Sequence, residues 1–282
     1  MKPAQFDYVR AGSVEQATAL LAQHGARARI LAGGQSLMAM LNIRLAEPAL
    51  LIDISGLGGL RDIRIDGDWV EIGAGVTQAE LLAWPALATE LPLLALALPS
   101  VGHFQTRNRG TVCGSLAHSD PSSELPLCLA LLGGEVVLRS QRGTRRLRGQ
   151  AFQTGMLSTA READELLLAV RFPRARAGQG FAFHEVARRH GDFAIVALAV
   201  SADASGVTLA VGGVADTPAL CKLGLDRGSE SGGAELDAAL NAFAWEMGGN
   251  DDLHATARYR RELVRRLAPG LIAEALQRRA SA

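Results

Sequence analysis

Two short segments rich in small residues have the composition expected of loops that bind phosphate groups. The first consists of Ala32, Gly33, Gly34, Gln35 and Ser36, and it follows an apolar stretch that suits a β-strand. Glycines there let backbone N–H groups converge, and a following helix adds partial positive charge, so a pyrophosphate needs no Lys or Arg. A Gly-Gly turn between a strand and a helix is also common without any ligand. The spacing matches neither G-x-G-x-x-G nor the P-loop.

The second segment contains Thr111, Cys113, Gly114 and Ser115, whose small side chains would again let a ligand approach the backbone closely. Cys113 suggests a reactive thiol, but no catalytic histidine signature accompanies it, and small cysteines are commonly buried packing residues. The segment is therefore interpreted as a binding loop, and the sequence identifies no catalytic residue.

Glu124, which follows the second segment, has two interpretations. Its carboxylate could accept hydrogen bonds from ribose hydroxyls, as acidic residues do in dinucleotide sites. Alternatively, it lies in the first turn of a helix capped by Ser122 or Ser123, where a negative charge stabilises the helix. Asp120-Pro121 favours a fixed turn just before it.

Cysteine usage and overall charge exclude several kinds of protein. No two of the three cysteines, Cys113, Cys128 and Cys221, have C-x-x-C spacing, so the sequence predicts no disulfide scaffold, zinc site or iron–sulfur site. The net charge is +0 over 282 residues, which argues against nucleic acid or anionic lipid as a partner. Apolar runs are far shorter than the roughly 20 residues that cross a bilayer. The N-terminus lacks a secretory signal pattern, so we expect a cytoplasmic protein.

The surrounding pattern predicts the elements that position both loops. Ser13-Val14-Glu15-Gln16 is a capping-box signature that opens a helix, and Gly25 ends it. A strand, the first glycine loop, a short helix and a strand over 50–53 follow. The opening of the chain is therefore a small α/β unit.

A second group of elements follows. The segments on either side of Asp66-Gly67-Asp68 alternate as a β-hairpin over 63–72, and Thr77 caps another helix. Residues 107–126 show little periodicity and many small or polar side chains, so we expect a turn-rich functional segment there.

The remainder of the chain predicts a sheet followed by helices, an α+β arrangement. Residues 173–180 have the composition of a linker. The predicted strands cover 181–186, 194–202 and 207–214, and the predicted helices cover 236–247 and 255–267. The arginines of the last helix are expected on its polar, exposed face, and they are Arg258, Arg260, Arg261, Arg265 and Arg266.

Taken together, the motifs resemble a known family. The pair A-G-G-x-S and T-x-x-G-S-x-x-x-x-D-P-x-x-[DE]-x-P resembles the FAD-binding medium subunit of molybdenum hydroxylases, the family of carbon monoxide dehydrogenase and xanthine dehydrogenase flavin subunits. Residues 183–194 resemble the segment that opens the C-terminal domain in that family. The resemblance covers nearly the whole chain.

The resemblance implies an α+β fold in three parts. A two-subdomain α/β FAD-binding fold of the PCMH type would cover 1–57 and 58–176, and a C-terminal α+β domain of antiparallel sheet plus helices would cover 177–282. The two loops would hold the pyrophosphate of FAD and Glu124 its adenosine ribose, while Leu157 and, as a weaker candidate, Phe193 would lie against the flavin ring.

Three residues depart from the family pattern. Cys113 replaces the first of two glycines, and we expect the loop to tolerate a thiol. Glu185 occupies a position where some relatives have a Lys near the flavin, which leaves the tuning of the flavin potential open. Gln35 cannot form a histidyl-flavin bond, so FAD is expected to be non-covalent.

The resemblance also implies a function. The chain would take electrons from [2Fe-2S] clusters of a small partner subunit and pass them from FAD to an external acceptor, beside a large molybdopterin subunit, in a dimer of heterotrimers. An autonomous flavin-dependent reductase of the same broader fold is the alternative. A nucleotide-binding scaffold without a redox role is a third possibility.

Overall fold

In the computed structural model, which describes residues 2–224 and 233–281, the chain opens with a three-stranded parallel sheet. The elements are β1 (Asp7–Arg10), α1 (Val14–His24), β2 (Ala28–Leu31), α2 (Leu37–Asn42) and β3 (Leu50–Asp53). Both β1 and β2 pair with β3 in parallel. Parallel neighbours require crossover connections, which α1 and α2 supply. The predicted α/β unit is confirmed, whereas β1, a short and largely exposed strand, was not predicted.

A five-stranded antiparallel sheet follows, with strand order β4-β5-β10-β6-β7. Its strands are β4 (Ile63–Asp66), β5 (Trp69–Gly73), β6 (Glu135–Ser140), β7 (Gly143–Arg148) and β10 (Leu166–Pro173), and a small hairpin joins β8 (Gln153–Gly155) to β9 (Ser158–Thr159). The hairpin predicted over 63–72 is confirmed. The helices between these strands are α3 (Gln78–Leu82), α4 (Leu87–Glu90), α5 (Pro92–Ala97), α6 (Phe104–Arg109), α7 (Val112–His118), α8 (Glu124–Leu132) and α9 (Gly149–Phe152).

The expectation of an irregular segment over 107–126 was wrong, because α6, α7 and the start of α8 occupy most of it. The first turn of α7 is fixed by Thr111, whose hydroxyl accepts a hydrogen bond from the Gly114 amide at 3.0 Å. Residues 124–130 of α8 are all buried. A helix that is buried all round has no apolar stripe, so the periodicity that identifies amphipathic helices is missing.

The last part of the chain is a four-stranded antiparallel sheet covered by two helices. Its elements are β11 (Gly180–Val186), β12 (Val196–Asp203), β13 (Gly206–Gly212), β14 (Ala219–Leu223), α10 (Ala234–Glu246) and α11 (Ala257–Ser281). The predicted strands and helices are confirmed, β14 was not predicted, and α11 extends beyond its predicted end at Leu267. It continues through Pro269 because Leu271, Ile272 and Ala275 after the proline remain buried against the sheet.

The two faces of this sheet have different side chains, and both are buried. On β12, Leu198 and Val200 belong to a core shared with α10 and α11. Ala197 and Ala199 point the other way, into a core shared with the first two sheets. Small side chains on that face let α8 pack closely against β12 and β13.

Arg260 corrects the expectation that the arginines of the last helix all face solvent. Its side chain is buried, and its guanidinium donates to the carbonyl oxygens of Ile195 and Gly213 and to the Asp252 carboxylate. It therefore fixes α11 to the residue before β12 and to the residue after β13, at the open end of that hairpin. Arg258, two residues earlier, is exposed as predicted.

We predict that Arg260→Ala lowers the free energy of unfolding by about 2–4 kcal/mol, because two buried carbonyls and one carboxylate lose their donor. Arg258→Ala is the matched control and should change it by less than about 0.5 kcal/mol. Urea denaturation of both variants measures the difference, and equal stability would show that the Arg260 contacts contribute little.

Candidate functional site

A deep cleft of about 1230 Å³ lies where the three sheets meet. This exceeds the roughly 300–1,000 Å³ of typical small-ligand pockets, so the cleft suits an extended ligand. Its lining combines the first glycine loop, the second loop, the β8–β9 hairpin and the segment after β11, namely residues 32–37, 110–111, 113–115, 157–159, 188–189 and 191–193.

The first loop lines this cleft with residues whose backbone amides are potential hydrogen-bond donors. Among the described residues, the amides of Gly33, Gly34, Gln35 and Ser36 have no hydrogen-bond acceptor. Gly34 has φ 72°, a left-handed conformation that side chains rarely adopt. The Gln35 side-chain amide folds back on the Gly33 carbonyl at 3.3 Å. Four free amides at one place form a site for an anion.

The second loop is fixed in place by hydrogen bonds to the residues before and within α3. The Gln78 amide donates to the Gly110 carbonyl at 2.9 Å, and the Val112 amide donates to the Val76 carbonyl at 3.1 Å. The Cys113 thiol is buried and directed at the Ile72 carbonyl, and burial raises its pKa far above its usual range. It is therefore a packing residue whose backbone, with those of its neighbours, lines the cleft.

The two loops contact each other through their backbones. A Cβ atom built on Gly33 would lie 2.1 Å from the Arg109 carbonyl oxygen and 2.8 Å from the Gly110 Cα. A Cβ on Gly110 would lie 2.9 Å from the Thr106 carbonyl oxygen and 3.1 Å from the Oε1 atom of Gln78, a buried oxygen without a partner in the described part. Sequence reasoning assigned no role to Gln78, nor to Gly110, although Gly110 belongs to the predicted second loop.

Glu124 is the first residue of α8 and lines the cleft although it is only 6% exposed. Burial, followed by the charges of Glu185 and Asp120, raises its pKa to about 8. Neither serine predicted as a cap acts as one through its side chain: Ser123 occupies the cap position without such a bond, and the Ser122 amide instead donates to Asp120 at 2.8 Å.

Leu157 and Phe193 both line the cleft, Leu157 on the β8–β9 turn and Phe193 on the segment after β11. Both side chains are substantially exposed, at 47% and 65%. Leu157 has φ 52°, which is uncommon for a residue with a side chain. Its amide donates to the Ser119 carbonyl at 3.0 Å, which fixes the turn against the end of α7.

Positive charge in the cleft comes from residues that the sequence did not single out. Arg29 and Arg161 lie at one end, where burial and the charge of Arg29 lower the pKa of Arg161. Arg188 and Arg189 lie on the segment after β11. Within the described ranges, no cluster of three or more His, Cys, Asp or Glu side chains is arranged to hold a metal ion. No described helix is long and apolar enough to cross a membrane.

Comparison with known proteins gives the family of this chain. Residues 4–175 match the "FAD binding domain in molybdopterin dehydrogenase", and residues 181–275 match the "CO dehydrogenase flavoprotein C-terminal domain". The chain belongs to the family of FAD-binding medium subunits of carbon monoxide dehydrogenase and related molybdenum hydroxylases. The resemblance drawn from the two loops is confirmed.

Individual relatives cover almost the whole chain. The 6-hydroxypseudooxynicotine dehydrogenase complex subunit alpha of Paenarthrobacter nicotinovorans is 37% identical over 99% of this chain and 97% of its own length. The solved carbon monoxide dehydrogenase from Hydrogenophaga pseudoflava superposes with a TM-score of 0.87 at 32% identity, over 99% of each chain. Quinoline 2-oxidoreductase from Pseudomonas putida 86 superposes with a TM-score of 0.88 at 30% identity, covering 98% of this chain and 99% of that one.

The residues in the cleft fit FAD. The free amides of the first loop suit a pyrophosphate. A side chain at Gly33 or Gly34 would crowd neighbouring atoms and distort this loop. The residue at position 35 is an amide, so no histidine is available at that point of the loop for a covalent bond.

We predict that Gly33→Ala weakens FAD binding by about a hundredfold, because the added methyl group forces the loops apart and about two phosphate hydrogen bonds are lost. Gly34→Val should act in the same direction through its left-handed backbone, and Gly114→Val through its crowding of Thr111. Flavin content after purification and fluorescence titration measure the effect.

Gly58→Ala is the matched control, because a Cβ there meets no atom within 4 Å. It should retain stoichiometric FAD, and circular dichroism should show that the cleft variants still fold. Stoichiometric flavin in the Gly33, Gly34 and Gly114 variants would contradict the assignment of the loops.

Proposed function

We propose that the chain holds one non-covalent FAD in the cleft between its units. Residues 32–36 and 111–115 would bind the pyrophosphate through backbone amides and the Ser36 and Ser115 hydroxyls, and Glu124 would bind the adenosine ribose. The observation that carries this proposal is the backbone contact of Gly33 with Arg109 and Gly110, because it places the two loops next to each other in one cleft.

We also propose a role for each unit of the chain. Residues 1–57 and 58–176 would enclose the ADP half of FAD, and residues 177–282 would cover one side of the flavin ring. Leu157 and, as the weaker candidate, Phe193 would lie against the ring, since both are apolar, exposed and part of the cleft lining. In this arrangement they would exclude water from the ring until a partner subunit binds.

We infer that the chain is the flavin component of an electron-transfer complex. Bound FAD would accept electrons one at a time and release them in pairs, while the protein would set the electrostatic environment of the flavin. Electrons would arrive from [2Fe-2S] clusters of a small subunit and leave to an external acceptor, with a molybdopterin-containing large subunit completing a dimer of heterotrimers. The support is that similar chains are named as subunits of larger dehydrogenases, among them a "Nicotine 6-hydroxylase medium subunit" and a "Carbon monoxide dehydrogenase medium chain".

The isolated chain should bind FAD, contain neither iron nor molybdenum, and oxidise no organic substrate until its partner subunits are added. Metal analysis, the flavin absorption spectrum and turnover with and without the partners measure this. Robust substrate oxidation or reduction by the chain alone would contradict the subunit proposal in favour of the autonomous reductase. A colourless chain that takes up no flavin would contradict both.

A further inference from the structure

Two carboxyl groups from different units of the fold meet beside the cleft. The side chain of Glu124, at the start of α8, lies close enough to that of Glu185 on β11 for each carboxyl group to act on the pKa of the other. One oxygen of Glu185, Oε2, is fully buried and has no hydrogen-bond partner among the described residues. Two ionised carboxylates only accept hydrogen bonds, so a bond between them requires one proton on the pair.

The sheet register explains why Glu185 reaches α8. Glu185 pairs directly with Ala197 of β12, and paired residues on neighbouring strands point to the same face of a sheet. Ala197 belongs to the core on the α8 side, so Glu185 points to that side as well. Its neighbour His184 points away and is exposed. Because the residue opposite Glu185 is an alanine, there is room for a carboxyl group between strand and helix.

The charges near this pair are acidic. Asp120, in the turn before α8, acts on Glu124 together with Glu185, and each of the two raises its pKa. Burial, and after it the charge of Glu124, raise the pKa of the Cys128 thiol one helical turn along α8. Burial is the largest cause for both carboxyls, and it raises the pKa of Glu185 to about 7.

Charged groups on the elements packed against α8 and β11 have other partners. Arg171 of β10 is paired with Asp66 and lies near further carboxylates. Asp203, at the far end of β12, accepts from Ser205, and Arg278 of α11 donates to the Phe181 carbonyl. α5 and β13 contain no ionisable side chain. The further ionisable groups on the packed elements are Cys113 and His118 of α7 and, on α11, Arg258, Tyr259, Arg260, Arg261, Glu262, Arg265, Arg266, Glu274 and Arg279.

We propose that Glu185 is a positioning residue for FAD. It accepts a hydrogen bond from the protonated carboxyl of Glu124 and so turns the other oxygen of Glu124 toward the cleft. That oxygen then accepts a hydrogen bond from a ribose hydroxyl. Glu124 is one of the residues that line the cleft, whereas Glu185 is not, so Glu185 acts on the ligand through Glu124. This inference rests on the proposed binding of FAD.

FAD retention then depends on the shared proton. A carboxyl whose pKa is raised on folding contributes stability at low pH that is lost as the pH rises through the raised value, here about 8 for Glu124. Once the proton is gone, two buried carboxylates repel and Glu124 turns away from the ribose. The rate of FAD dissociation from the wild-type chain should therefore rise about tenfold between about pH 6.5 and about pH 9.

Glu185→Gln is the deciding variant, because its side-chain amide can donate to an ionised Glu124 without a shared proton. FAD dissociation at about pH 6.5 should stay within about twofold of the wild-type rate, and the rise toward about pH 9 should largely disappear. Glu246→Gln, at the exposed end of α10, is the matched control and should keep the wild-type profile. Stopped-flow recovery of flavin fluorescence from the FAD-loaded chain measures all three.

Parallel pH profiles of the wild-type chain and Glu185→Gln would overturn the inference while leaving FAD binding intact. A wild-type chain that takes up no FAD at any pH would refute the proposed function, and this inference with it. Infrared spectroscopy of the wild-type chain needs no variant. A protonated-carboxyl band should persist at about pH 6.5 and vanish by about pH 9, and its absence at the lower pH would also overturn the inference.

Discussion

The backbone contact between Gly33 and the Arg109–Gly110 peptide determines the geometry of the cleft. It joins a loop of the parallel sheet to a loop of the antiparallel sheet at a distance that excludes any side chain at position 33. Hydrogen bonds from Gln78 and Val112 fix the second loop, so its position does not depend on the first. The first loop therefore contacts a second loop whose own hydrogen bonds hold it in place without a ligand.

A chain with no net charge can hold an anion in this way because the charge is local. The amides of residues 33–36 carry partial positive charges that act at short range. In a cleft with partly apolar walls, their electrostatic attraction for an anion is stronger than it would be in water. Arg29 and Arg161 add full charges at one end of the same cleft. On the other side, Glu124 is buried so deeply that it holds a proton more easily than an exposed carboxyl does, which limits its repulsion of an anionic ligand.

Local signals in the sequence were sufficient to predict the elements whose stabilising contacts come from residues nearby in the chain. The helix opened by Ser13 and the hairpin turning at Gly67 depend on caps and turn residues next to them in the chain. Features that depend on distant partners were missed or misjudged. The burial of Arg260 requires carbonyls from two other segments, and the pairing of Glu124 with Glu185 requires the register of a sheet that no local pattern specifies.

In the proposed site, both loops together bind one pyrophosphate. The most direct measurement is a crystal structure of the FAD-loaded chain, read at the distances from pyrophosphate oxygens to the amide nitrogens of the two loops. We expect a distance of about 2.7–3.2 Å from a pyrophosphate oxygen to at least one amide nitrogen in residues 33–36, and the same distance to at least one in residues 111–115. A pyrophosphate bound to only one loop, or bound elsewhere in the cleft, would contradict it.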